Sequence, residues 1–227
     1  MTSIIRLLLA AAVVLPAGSV LAAEPGGPAR LVHAWGAVTI ESKSGARPGK
    51  AGARLAPGDA VATAEKSVAV IALPDGSRLK LRAGSRVAVE LPKGKIRETT
   101  AFLSAGSVFA KIAKQTAGRG FRIRTPSAVA AVRGTEFFTA YGRPRGKSKD
   151  LWLCVNAGAV EVTTDKSEKG LLVEAGTGVM IKGGLDLTKP KAYDWTRKLN
   201  WNMDAEAGTI EDTTNLDAAY PAREEGW

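Results

Sequence analysis

From Leu31 onward the apolar residues come in short runs, broken every few residues by Gly, Pro, Asp and Ser. Ala37-Val38-Thr39-Ile40 opens the series. The run Val68-Ala69-Val70-Ile71-Ala72-Leu73 is apolar at every position, which predicts a strand buried on both faces. Pro74-Asp75-Gly76-Ser77 reads as a turn, because proline fixes φ at the first corner and glycine accepts a positive φ. Arg78-Leu79-Lys80-Leu81-Arg82 then alternates, which points Leu79 and Leu81 inward and the three cations outward. Arg86-Val87-Ala88-Val89-Glu90 repeats the alternation after a second turn at Ala83-Gly84-Ser85. Further strands are predicted at 106–112, 121–125, 136–141, 151–155, 159–162, 171–174 and 179–181, and the segment 142–149 reads as an exposed basic loop. The one helix candidate spans 193–203, with Asp194 as its cap. Beyond Gly183 the β pattern is lost.

Turn signals spaced by roughly 8–12 residues predict an all-β fold. The expected architecture is an elongated β-sandwich or a short β-solenoid-like domain of about 10–13 short strands, with a C-terminal extension. The N-terminus has a different pattern. One Arg at position 6 precedes the apolar run Leu7 to Leu15, Pro16 and Gly18 break it, and Val20-Leu21-Ala22 places compact residues at a cleavage site. This is the layout of an export signal, with cleavage expected after Ala22 or Ala23 and a periplasmic or secreted destination. The expected organisation is a signal peptide over 1–22, a Pro/Gly-rich flexible leader over 23–30, a β domain over 31–184, and an acidic, partly disordered extension over 185–227. No later stretch approaches the roughly 20 apolar residues that span a bilayer, so the mature chain is expected to be soluble.

Composition narrows the chemistry. Cys154 is the only cysteine and His33 the only histidine, so neither an internal disulfide nor a His/Cys zinc site is expected. Cys154 lies in the apolar run Leu151-Trp152-Leu153-Cys154-Val155 and reads as a small buried hydrophobe. A Ser-His-Asp triad would have to use His33, beside the mature N-terminus, with no nucleophile-elbow motif in support. No cofactor is implied. The formal net charge of +10 is unevenly spread. Between Glu41 and Asp150 there are 22 Lys/Arg against 8 Asp/Glu, whereas Leu199 to Trp227 holds 1 against 7. In an exported chain such a basic body points away from nucleic acid and toward an acidic protein surface, an anionic envelope polymer or lipid headgroups.

Three segments carry a resemblance. They are Gly58-Asp59-Ala60-Val61-Ala62-Thr63, then Ala72-Leu73-Pro74-Asp75-Gly76-Ser77-Arg78-Leu79-Lys80-Leu81, then Arg124-Thr125-Pro126-Ser127-Ala128-Val129-Ala130-Ala131-Val132-Arg133-Gly134-Thr135-Glu136-Phe137. In content and order they resemble the FecR (ferric-citrate-regulator) domain, and Gly158 to Val162 and Ala175 to Val179 match its late strand pair. The resemblance runs from about Leu31 to Lys182. It implies a periplasmic β domain that receives a signal from a protein in the envelope, and it implies no catalytic residue. The sequence has no internal membrane span, so what carries over is the domain itself, as a protein- or polymer-binding module.

Two residue sets are candidates for that binding. The first is the motif Thr125, Pro126, Arg133, Gly134, Thr135, Glu136 and Phe137. Its chemistry is mostly that of a scaffold: Gly134 permits a positive φ, Pro126 pins the entry, both threonines can bond turn backbone, and Arg133 and Glu136 are close enough to pair. The second is a basic face made of Arg78, Lys80, Arg82, Arg122, Arg124, Arg143 and Arg145. The expected function is a non-catalytic binding or regulatory module of the cell envelope. The alternative is a scaffold that holds polysaccharide or lipid headgroups through the basic face. Less favoured is an enzyme acting on envelope glycans, for which Glu136 and Glu161 are the least implausible carboxylate pair. In the extension, Trp195 and Trp201 are expected to dock on the β body as far as about Asn202, with disorder beyond Gly208.

Overall fold

The computed structural model describes residues 27–216 apart from 117, 146, 147 and 185. The fold is all-β. Its strands are β1 Arg30–Trp35, β2 Val38–Ser42, β3 Gly45–Pro48, β4 Ala60–Thr63, β5 Val68–Ala72, β6 Arg78–Leu81, β7 Arg86–Glu90 and β8 Glu98–Lys111, then β9 Gly120–Arg124, β10 Ala128–Val132, β11 Glu136–Arg145, β12 Ser148–Ala157, β13 Ala159–Thr164, β14 Ser167–Glu174, β15 Gly178–Lys182 and β16 Asp186–Leu187.

They form two layers. Sheet A runs β1-β5-β6-β8-β11-β12-β15-β16, and sheet B runs β3-β2-β4-β7-β8-β9-β10-β13-β14. Every pairing is antiparallel except β8 with β9. Strand β8 belongs to both sheets: residues 98–105 pair in sheet B and residues 106–111 in sheet A. Gly106, at φ +80°, makes the corner, and a Cβ there would collide with the backbone of Ser85. Ser85 holds the corner in place. Its hydroxyl accepts from Ser107 N–H at 2.8 Å and donates to Ser107 C=O at 2.9 Å.

The inner faces of the two sheets share one core. Leu31, Ile71, Leu79, Leu81, Phe137, Leu153 and Ile181 of sheet A meet Ile40, Val61, Val87, Leu103, Phe121, Ile123 and Val160 of sheet B. Of the two expected architectures, this is the sandwich. A second apolar cluster lies on the outer face of sheet A. Val68, Val70, Phe109, Phe138, Trp152, Cys154 and Met180 are buried there beneath Tyr193, Leu199, Met203 and Ile210, with Trp201 and Leu216 packed against them. Strand β5 therefore has apolar cover on both sides, which is why its sequence does not alternate. Cys154 is buried in this cluster, and the loss of water pushes its thiol up to about 12.

The structure corrects several local expectations. It has more strands than expected, 16 among the described residues. Strand β3 is exposed at all four residues and carries no apolar signal. The first half of β8 was missed because its inward residues are Thr99, Ala101 and Leu103, while Phe102 points out. The expected basic loop is instead a continued ladder, with Arg143 opposite Asp150, Pro144 opposite Lys149 and Arg145 opposite Ser148. The expected helix over 193–203 is only a 3-10 turn, Asp194–Lys198, with Tyr193 as N-cap and no side-chain capping bond. Asn200 explains the early stop. Its side chain accepts from Asn202 N–H and donates to Thr209 C=O, so local side-chain bonds displace helical ones.

Candidate functional site

The alternation of β6 places Leu79 and Leu81 in the core, as expected, and turns Arg78, Lys80 and Arg82 to the outer face of sheet A. That face is not open to water. Across the sheet, Lys80 stands in a row between Val70 and Phe109, followed by Phe138 and Cys154. It is 0% exposed. Its ammonium sits 4.2 Å from the centre of the Phe109 ring and donates to three backbone carbonyls, those of Asn200, Asn202 (2.8 Å) and Ile210 (3.1 Å). Burial pushes its pKa down to about 8, opposed by the attraction of Asp212 and reinforced by the repulsion of Arg82.

The neighbouring cations work the same way. Arg78 donates to Met203 C=O at 3.4 Å, and Arg82 to Thr214 C=O at 2.7 Å and Asp212 C=O at 3.2 Å. Arg82 also lies 4.0 Å from the Asp212 carboxylate. Three members of the expected basic face thus hold the chain's own C-terminal segment. Docking therefore does not end near Asn202: Ile210 is buried, and Leu216 packs on the cluster. Within the docked segment, Trp201 meets Phe109 edge-on at 5.2 Å. The side chains of Trp195, Arg143 and Arg145 lie outside the described residues.

Arg122 and Arg124 stand elsewhere, on the outer face of sheet B. The basic residues therefore form no single face. On sheet B an open groove of about 530 Å³ is lined by Glu98, Arg119, Arg122, Arg133, Glu161 and Leu172, among others. Arg122 pairs with Glu98 at 3.0 Å. Arg124 lies opposite Phe102 across the β8–β9 ladder. Phe102 is 37% exposed and Leu172 56% exposed, so this face keeps apolar side chains in water. Sequence reasoning missed both, since an outward Phe or Leu is not distinguishable from a core residue by type alone.

The motif has mostly a framing role. Thr125 Oγ1 accepts from Ala128 N–H at 3.1 Å and closes the turn after Pro126. Thr135 donates to Ala159 C=O at 2.9 Å, and Phe137 is fully buried. Gly134 takes φ +92°, and a Cβ would stand 3.1 Å from Lys114 Cα. The Glu136 carboxylate accepts from Asn156 Nδ2 at 2.7 Å instead of pairing with Arg133. Arg133 is exposed and turns to the sheet B groove. Glu136, on sheet A, and Glu161, in that groove, stand on different outer faces, so they cannot act on one glycosidic bond.

Residues 59–161 match the family model described as FecR protein. Two crystal structures of a candidate anti-sigma factor from Parabacteroides distasonis ATCC 8503 are similar to this chain. One is 18% identical at a TM-score of 0.50, with 62% of this chain and 67% of that one covered. The other is 19% identical at a TM-score of 0.49, with 60% of each chain covered, so this chain spans less than two thirds of that relative's length. No curated protein matches. Among the described residues no helix is long and apolar enough to cross a membrane.

Proposed function

We propose that this chain, whose residues 59–161 match the FecR protein model, is a non-catalytic regulatory module of the cell envelope that binds a protein partner on the open face of sheet B. The observation that supports this most is the composition of the groove there. Glu98, Arg119, Arg122, Arg133 and Glu161 all fall inside the family-matched residues, and exposed Leu172 and Phe102 stand on the same face. Charges of both signs around apolar anchors suit a protein surface, whose own charges can be arranged to complement them. A uniform polyanion would meet Glu98 and Glu161 as repulsive neighbours. The sheet A face is already covered by the chain itself.

The experiment is site-specific photo-crosslinking in intact envelopes, with the probe at Leu172 or, as a control, at Ile96, which is similarly exposed. A discrete protein adduct at 172, absent at 96 and lost in Arg133→Glu, is the expected result. A polydisperse glycan adduct that disappears steeply with added salt would replace the protein reading with the polymer one.

A further inference from the structure

The outer face of sheet A holds segment 199–216 in an unusual way. Strand β6 and its neighbour Arg82 donate to six backbone carbonyls of the segment, those of Asn200, Asn202, Met203, Ile210, Asp212 and Thr214, and Arg82 adds an ion pair with Asp212. Contacts of this kind read the course of a chain and very little of its sequence. Sequence enters through a few anchors, chiefly Trp201, Met203 and Ile210.

The segment also builds its own shape. Asn200 bonds Thr209 and Glu211 carbonyls, Asn202 bonds Asp204 N–H, and Asp212 bonds Asn200 N–H and Thr214 N–H. It adds no ladder to sheet A; the nearest bridge joins Gly178 to Lys191, before the segment begins. Its removal would leave sheet A hydrogen-bonded as it is and return Arg78, Lys80 and Arg82 to water, with no charge stranded. Nor is the fit complete, since among the described residues the buried indole N–H of Trp201 finds no acceptor.

We propose that this face is a peptide-docking surface, that segment 199–216 is its resident occupant, and that an irregular segment of a partner protein can take its place. The partner segment would carry an aromatic and two aliphatic anchors at the spacing of Trp201, Met203 and Ile210, and would turn its carbonyls toward Arg78, Lys80 and Arg82. The proposal stands apart from the sheet B reading, because it concerns the opposite face of the sandwich and is tested on the purified chain.

The probe is a labelled synthetic peptide of residues 199–216, added to the full-length protein. Because the resident segment competes, apparent affinity scales with the fraction of chains whose face is free. Loosening the resident segment by Trp201→Ala should therefore tighten peptide binding at least ten-fold over wild type, and adding Lys80→Met should cancel that gain. Ile210→Ala provides the same reading should Trp201→Ala fail to fold. Hydrogen exchange on isotope-labelled wild-type protein should show faster exchange at the chain's own Asn202 and Thr214 amides when peptide is added. Equal affinity for wild type and both loosened variants would overturn the proposal. So would peptide binding that leaves those amides unchanged. Concentration-dependent dimers in the loosened variants would replace the partner peptide with a second copy's tail, and would equally overturn it.

Discussion

Gly134 and Lys80 show what a single position can impose. Gly134 stands at φ +92° with Lys114 backbone close by, so a β-branched residue meets both strain and contact. Gly134→Val should cost roughly 1–3 kcal/mol or more, read as a lower melting temperature. An unchanged melting temperature would mean that this turn relaxes freely. Lys80 makes a pH-dependent contribution. Its folded pKa, about 8, lies below the ordinary 10.5, so between those values the docked state binds fewer protons than the released one. Docking of the tail is therefore weakest below pH 8 and strengthens as pH rises toward 10.5. Exchange protection at residues 200–212 should rise over that window in wild type and stay flat in Lys80→Met. The alternation around Lys80 was legible in the sequence, and it correctly gave the direction of the side chain. It could not show what covers that side, because cover is supplied by residues more than a hundred positions away.

Elements were legible where burial is one-sided or complete. Strands β5, β6, β7 and β9 follow directly from their apolar spacing. The exceptions have physical reasons: β3 is a fully exposed edge, and the first half of β8 buries small and polar residues. The docked segment obeys no period, since it is held by carbonyls and a few anchors. Its energetics should follow those anchors. Trp201 packs on Phe109, so Trp201→Ala should cost about 3 kcal/mol, within the usual range for losing a packed Trp. Glu211 is exposed, and Glu211→Ala should stay within about 0.5 kcal/mol. Equal shifts in chemical denaturation would show that charge, and not the ring, fixes the segment.

At the scale of the molecule, the resemblance to the FecR domain was legible because most of its motif residues are turn-formers whose types are dictated by backbone shape. The candidate site was legible only in part. Arg122 and Arg133 were both singled out, for different reasons, and the structure places them in one groove. That Arg78, Lys80 and Arg82 belong to the other face follows from strand order, which no local pattern encodes. The N-terminal pattern lies outside the described residues and makes its own prediction. Protein isolated from the native host should begin at Ala23 or Glu24. An intact Met1 recovered from membranes would contradict export with cleavage.

The order in which β6 and its neighbour Arg82 grip the tail has a mechanical consequence. Along the chain from its C-terminal side, the carbonyls of Thr214 and Asp212 are held by Arg82, then Ile210, Asn202 and Asn200 by Lys80. A pull on the C-terminus loads these contacts in sequence, so they rupture by peeling. The strands of the sandwich, stitched through both layers by β8, must break many ladder bonds together. Under tension the molecule should therefore yield twice. A first event at low force should release the chain from about Ala192 to Leu216, a lengthening of roughly 8 nm at about 3.4 Å per residue. A single event at higher force should then unravel both sheets. Optical-tweezer extension of the full chain reads both steps, and Lys80→Met should lower the force of the first alone. Anchored at that end, the protein would respond to strain by baring the outer face of sheet A while its fold remains intact.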